Sequence, residues 1–107
     1  MSLLEILGIL LDNAIEASSE CDEKVIHVSF RKEDNRHRLI MGIENTYKNK
    51  DINVDKIFEK DFSTKSKKSN SGLGLWEVRQ ILKKNNNLNL FTSKNDEFFS
   101  QQFEIYY

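Results

Sequence analysis

At 107 residues, 38% hydrophobic and 31% charged, the chain has the length and balance of one globular domain with a single core. Its net charge of −1 leaves no overall basic field, which argues against nucleic acid or an anionic membrane surface as partner. No apolar run approaches the roughly 18 residues of a membrane span and no secretory leader pattern appears. The single Cys21 cannot form an internal disulfide, and with His27 and His37 scattered along the chain it gives no zinc spacing. Cysteine usage therefore fits a reducing, cytosolic setting. Proline is absent, so turns must rely on Asn, Asp, Gly and Lys.

The first element is a helix from Leu3 to Ser19. Leu3, Leu7, Leu10 and Ala14 recur at helical spacing, as do Leu4, Leu11 and Ile15, which predicts an apolar surface around most of its circumference. The remaining face carries Glu5, Ile9, Asp12, Asn13 and Glu16. An amide flanked by two carboxylates suits oxygen ligands offered to a hard cation such as Mg²⁺. The plain alternative is an amphipathic helix whose polar stripe meets water.

Ser19 to Glu23 is a polar turn. Lys24 to Glu33 then alternates, with Ile26, Val28 and Phe30 on one side and His27, Ser29 and Arg31 on the other, as a half-buried strand does. Asp34, Asn35 and Arg36 make a tight turn into a second strand from Arg38 to Asn45, with Leu39, Met41 and Ile43 on one face. Tyr47 to Asp55 is polar and reads as a loop, followed by a short helical turn at Val54, Ile57 and Phe58. Asp61 to Ser71 has almost no apolar residue after Phe62 and reads as a mobile loop. A second helix runs from about Leu73 to Lys84, with Leu75, Val78 and Leu82 inward, and Asn85, Asn86 and Asn87 stop it. Leu88 to Ser93 and Phe98 to Tyr107 close the chain as a hairpin around Lys94, Asn95 and Asp96. These elements predict an α+β, two-layer domain over residues 1–107, with helices on one face of a mostly antiparallel sheet.

Asn13 within Leu-Asp-Asn-Ala, Asn45 after an apolar strand, Phe62-Ser63-Thr64-Lys65, and Gly72-Leu73-Gly74-Leu75 opening the second helix together resemble the ordered boxes of the Bergerat ATP-binding fold. Sensor histidine kinases, gyrase-type topoisomerases, mismatch-repair ATPases and heat-shock chaperones share that fold. The resemblance spans nearly the whole chain and is strongest to the catalytic domain of peptide-pheromone (quorum-sensing) receptor histidine kinases. It implies ATP and Mg²⁺ as ligands. It also implies a helical dimerisation and phosphoacceptor domain and a response regulator as partners. The parent would be a homodimeric membrane receptor with this domain in the cytoplasm.

By this resemblance Asn13 matches the magnesium-binding asparagine, where the plain alternative is an Asn bridging within a buried helix. Asp12 would ligate through water or face solvent. Asn45 stands where most histidine kinases place an aspartate that accepts the adenine amino hydrogen; the alternative is an Asn ending a strand. Thr64 and Lys65 match the residues ahead of the lid, and Lys65 would neutralise phosphate, whereas Lys67 and Lys68 read as solvated lysines. Gly72, Leu73, Gly74 and Leu75 match the glycine box, which brings backbone N–H groups to an anion. The chain departs from the family pattern at Glu16, where a basic residue is usual, and at Asn70, where a glycine is common. One like-charge pair at about 5 Å and an effective dielectric near 20 costs roughly 3 kcal/mol, so Glu16 is expected to turn away from phosphate. Ile9 stands where hydrolytic members carry a glutamate. Trp76 is either packed or a docking surface for the helical domain. Neither His27 nor His37 lies on a helix, as the acceptor histidine would. The rival readings are a self-contained ATPase of the same fold and a degenerate nucleotide-binding interaction module.

Overall fold

The first helix forms over Leu3–Ser19 (α1). Its end is written by two serines, whose hydroxyls donate back to the carbonyls of Ile15 (3.2 Å) and Glu16 (2.7 Å) and so compete with the helix for its acceptors. Strand β1 (Ile26–Glu33), a 3₁₀ turn over Asp34–Arg36 with His37 left-handed at φ 51°, and strand β2 (Arg38–Asn45) make the expected hairpin. Helix α2 spans Ser71–Lys84. It stops where the Asn85 amide donates to the carbonyl of Ile81 at 2.8 Å. Strands β3 (Leu88–Lys94) and β4 (Phe99–Tyr106) close a second hairpin. At its turn the side-chain oxygen of Asn95 accepts from the N–H groups of both Glu97 and Phe98 at 2.8 Å, an asparagine turn of the kind the sequence requires without proline. The computed structural model describes residues 3–59 and 71–107, the side chains of 71–73 excepted.

The described strands form one antiparallel sheet in the order β1-β2-β4-β3. Pairing of β2 with β4 sets Met41 opposite Phe103, and pairing of β3 with β4 sets Leu90 opposite the same Phe103. Both helices cover this face. The core they close contains Ile6, Leu10 and Ala14 of α1, Leu75 and Val78 of α2, Met41, Ile43 and Phe103 of the sheet, and Ile57 from the loop after β2. The α+β, two-layer arrangement is thus the one the sequence predicts.

Three expectations need correction. The apolar surface of α1 is wide in sequence, but only one line of it is buried: Ile6, Leu10, Ala14 and Ser18. Leu3, Leu4 and Ile15 are exposed, Leu4 at 77%, because a helix laid on a single sheet has one covered side. Strand β1 is not half-buried. Val28 and Phe30 share the helix-side face with Ile43 and Met41 yet are 56% and 67% exposed, because β1 is an edge strand. The stretch 54–58 makes turns rather than a helical turn, with the N–H of Lys56 bonded to the carbonyl of Asn53 and that of Glu59 to the carbonyl of Lys56.

The other face of the sheet is held by charge. Arg38, with 13% of its side chain exposed, donates to Glu33 at 2.6 Å and lies 3.3 Å from the buried Glu104. It also donates to the Tyr106 hydroxyl at 3.0 Å, which in turn donates to Glu104 at 3.1 Å. Gln102 gives the second donor to Glu104 at 2.9 Å. The Arg38 hydrogen bond holds the Glu33 carboxyl below its ordinary value, and the same contact raises the Arg38 guanidinium, keeping it charged.

Two outcomes follow. Phe103→Ala removes a fully buried ring at the meeting point of three strands. It should destabilise the fold by about 3–5 kcal/mol, read as a lower denaturation midpoint. Because the pKa of Glu33 is depressed in the fold, its contribution is complete above the ordinary carboxylate pKa and is lost as pH falls through the lower folded value. Glu33→Gln should therefore lower stability at neutral pH and flatten its decline on acidification below about pH 4.5, measured by denaturation at stepped pH.

Candidate functional site

Asn13 lies one helical turn after Ile9, beside the buried Ile6–Leu10–Ala14 line of α1. Its amide nitrogen Nδ2 is buried with no hydrogen-bond partner among the described residues. A buried, unmade donor costs about 1–3 kcal/mol, and asparagine is a poor residue for a helix interior, so this position is unfavourable for the fold alone. Asp12 is exposed and faces solvent. Glu16 is half-buried and engaged in an interaction of its own.

Helix α2 begins at Ser71, two residues before the expected start. Gly72, Leu73, Gly74 and Leu75 are therefore its opening turns rather than a loop leading into it. No described glycine has positive φ, so left-handed freedom is not what Gly74 supplies. A Cβ at Gly74 would stand 3.0 Å from Cγ2 of Ile9. The glycine lets the start of α2 press against α1, one turn from Asn13. Leu75 is 8% exposed and belongs to the core; its side chain anchors the turn, and as the fifth residue of α2 it lies past the N–H groups the helix leaves open.

Asn45 closes β2 at 2% exposure, between Ile26 of β1 and Phe99 of β4 in the register. Its Nδ2 donates to the carbonyl of Thr46 at 2.9 Å, so the amide presents its oxygen as the acceptor. Thr46 fixes this strand end by accepting the N–H of Val25 at 3.1 Å. Next along the chain, Tyr47 is buried and its hydroxyl donates to the carbonyl of Asn95. Burial pushes the Tyr47 phenol pKa up, and Asp96 adds to the shift, so the ring stays neutral and donating. Lys94 draws the same loop in, with its ammonium on the carbonyls of Lys50 (2.6 Å) and Ile52 (2.9 Å). Sequence reading took this segment as a polar loop and missed these ties. The one available signal was a lone aromatic directly after Asn45-Thr46.

Asn13 and Gly74 are brought to neighbouring turns of two packed helices, and Asn45 ends the strand that lies against α1. Thr64 and Lys65, with Phe62, Lys67, Lys68 and Asn70, lie outside the described residues, and so does the expected mobile loop. Trp76 is half-buried and makes an interaction of its own, so it is not a freely exposed indole. His27 and His37 are exposed on the first hairpin. Among the described residues no group of three or more His, Cys, Asp or Glu could hold a metal. A metal here would take one protein amide, with phosphate and water oxygens completing its shell. That donor set fits Mg²⁺, which keeps several waters and takes few protein ligands.

The GHKL domain family matches residues 1–106. The catalytic domain of histidine kinase ThkA, in a nucleotide-free form, superposes with a TM-score of 0.72 at 25% identity, over 94% of this chain and 63% of that one. A second nucleotide-free form gives 0.70 at 27% identity, over 94% and 64%. A mycobacterial sensor histidine kinase, MprB, gives 0.71 at 19% identity, over 94% and 67%, a likeness of fold. No curated protein matches the chain. The chain spans a little under two thirds of the ThkA catalytic domain, and none of its described helices is long and apolar enough to cross a membrane. The chain belongs to the GHKL domain family and resembles the catalytic domains of histidine kinases.

Proposed function

We propose that the chain is the Mg²⁺- and ATP-dependent catalytic domain of a sensor histidine kinase, which transfers a γ-phosphoryl group to a histidine on a separate helical dimerisation domain. The observation that carries this reading is the buried, unpartnered amide nitrogen of Asn13 one turn from the start of α2. Asn13 would offer Oδ1 to Mg²⁺ and Nδ2 to a phosphate oxygen, which satisfies the donor the fold leaves unmade. Asn45 would accept the adenine amino hydrogen on its amide oxygen. The N–H groups of Gly72, Leu73 and Gly74, in the first turn of α2, would face the phosphates, with Leu75 anchoring that turn from the core. Thr64 and Lys65 would add a hydroxyl and a point charge from the segment ahead of that helix. Mg²⁺ held by Asn13 would supply neutralisation of phosphate charge. The rest is positioning, since phosphoryl transfer asks little covalent chemistry of the protein.

The acceptor histidine would belong to a partner domain, a reading that the placement of His27 on a strand and His37 beside a turn supports. The further expectations belong to the same proposal: a response regulator downstream, and a homodimeric membrane receptor of the peptide-pheromone, quorum-sensing class as parent, with this domain on the cytoplasmic side.

Titration calorimetry tests the metal assignment. Asn13→Ala should remove Mg²⁺-dependent ATP binding while circular dichroism shows the fold unchanged. Magnesium-dependent affinity equal to that of the unaltered chain would refute it.

Kinase and ATPase separate at Ile9, whose aliphatic side chain cannot act as a general base. Asp12, beside Asn13, points to solvent. The chain alone should bind Mg-ATP and release negligible phosphate, while phosphotransfer appears once a helical acceptor domain is supplied. Steady hydrolysis by the chain alone, abolished by Asn13→Ala, would establish the ATPase instead.

A further inference from the structure

Two glycines next to the same isoleucine differ in what surrounds them. At Gly8, in α1, a Cβ would meet nothing within 4 Å. At Gly74, in the first turn of α2, the three nearest atoms to a Cβ all belong to Ile9: Cγ2 at 3.0 Å, Cγ1 at 3.7 Å and Cβ at 3.9 Å. Neither glycine has positive φ, so alanine fits the backbone at both sites and would be the better helix former. What Gly74 provides is space, and the side chain nearest to it is that of Ile9. Ile9 is itself held in place, since it packs against the core cluster that contains Leu10, Leu75 and Val78.

We propose that the Ile9–Gly74 contact is the spacer that fixes how far Asn13 stands from the first turn of α2. Asn13 follows Ile9 by four residues, so both sit on one face of one rigid helix. Wherever Ile9 is pressed, Asn13 follows. The spacer brings the orphaned amide of Asn13 and the free N–H groups of α2 to the separation at which one bound anion can meet both. That consequence rests on the nucleotide reading proposed above; the spacing itself does not. Ile9 is a positioning residue, and Gly74 acts in the site through its missing side chain more than through backbone flexibility.

The test is a compensation experiment on the whole chain. It has two readouts: Mg-ATP affinity by calorimetry, and the side-chain amide resonances of ¹⁵N-labelled Asn13 without nucleotide. Gly74→Ala should weaken affinity by about ten-fold or more, as small misplacements at such sites do, and should shift the Asn13 amide signals. Ile9→Leu moves the branch away from Cβ at constant volume and so deletes the Cγ2 atom in contact. The double variant Ile9→Leu/Gly74→Ala should recover both readouts, with Ile9→Ala/Gly74→Ala as a second relief pair. Gly8→Ala should change neither, and circular dichroism checks folding throughout. Unshifted Asn13 amide signals in Gly74→Ala would overturn the spacer. So would a loss that neither Ile9 change relieves, since that marks a clash of the added methyl group with the nucleotide itself. If the unaltered chain binds no nucleotide, the functional reading falls and the Asn13 resonances alone decide the spacer.

Discussion

The pairing of β2 with β4 holds the molecule together. It joins two hairpins that are remote in sequence, Arg38 to Tyr106 at one end and Asn45 to Phe99 at the other. The entropy of closing the long intervening segment must be offset when these strands meet. The offset is visible in what the pairing buries. Met41, Ile43 and Phe103 come to one face and are sealed by Ile6, Leu10 and Ala14 of α1 and by Leu75 and Val78 of α2. On the other face the same pairing assembles Arg38, Glu104 and Tyr106 into a network in which each carboxylate oxygen of Glu104 has a partner. A buried charge is tolerable only when satisfied in this way. The site inherits its geometry from this seam, because Asn45 is its last β2 residue and α1 lies across it.

Much of this was legible in the sequence where one physical signal spoke alone. The alternation from Ile26 to Arg31 and from Leu39 to Ile43 set strand faces correctly, and Asn95 and Asn85 marked the turn and the helix stop they make. What alternation cannot say is whether anything covers a face. Val28 and Phe30 point the same way as Ile43 and Met41 and differ from them only in sheet position, a property of strand order. The width of the α1 apolar surface misled for the same reason. Leu4 and Ile15 satisfy helical spacing, but burial depends on how many layers the helix contacts, and spacing carries no count of layers.

The site was legible as a set of residue types and not as a geometry. Asn13 stood out because an amide in a helix interior needs compensation, and in the fold its Nδ2 is buried without a partner among the described residues. Gly74 stood out as well, but for a reason the structure replaces. Glycine in a phosphate-binding turn suggests backbone freedom, whereas here the residue is helical and its neighbour is Ile9. A contact between positions 9 and 74 leaves no local trace in a single sequence. The ties through Tyr47 and Lys94 were hidden likewise, since a lysine capping loop carbonyls reads as any other surface charge until the loop is folded beside it.

On the proposed reading, the charges on α1 account for an amide at position 13. Every charged residue of that helix is acidic: Glu5, Asp12 and Glu16. A polyphosphate brought to this face therefore approaches negative charge, at roughly 3 kcal/mol for each close like-charge pair at intermediate dielectric. A carboxylate at position 13 would add to that repulsion and would also cancel part of a bound cation's charge. Asparagine does neither. Its neutral oxygen would hold Mg²⁺ while leaving both positive charges to the phosphates, and its N–H group is a donor that a carboxylate lacks. The partial positive charge at the start of α2, packed on Ile9 one turn away, would add to the cation's. On the proposed reading, the acidic helix thus makes nucleotide binding depend on the cation more steeply than a basic one would, because α1 brings no positive side chain to replace it.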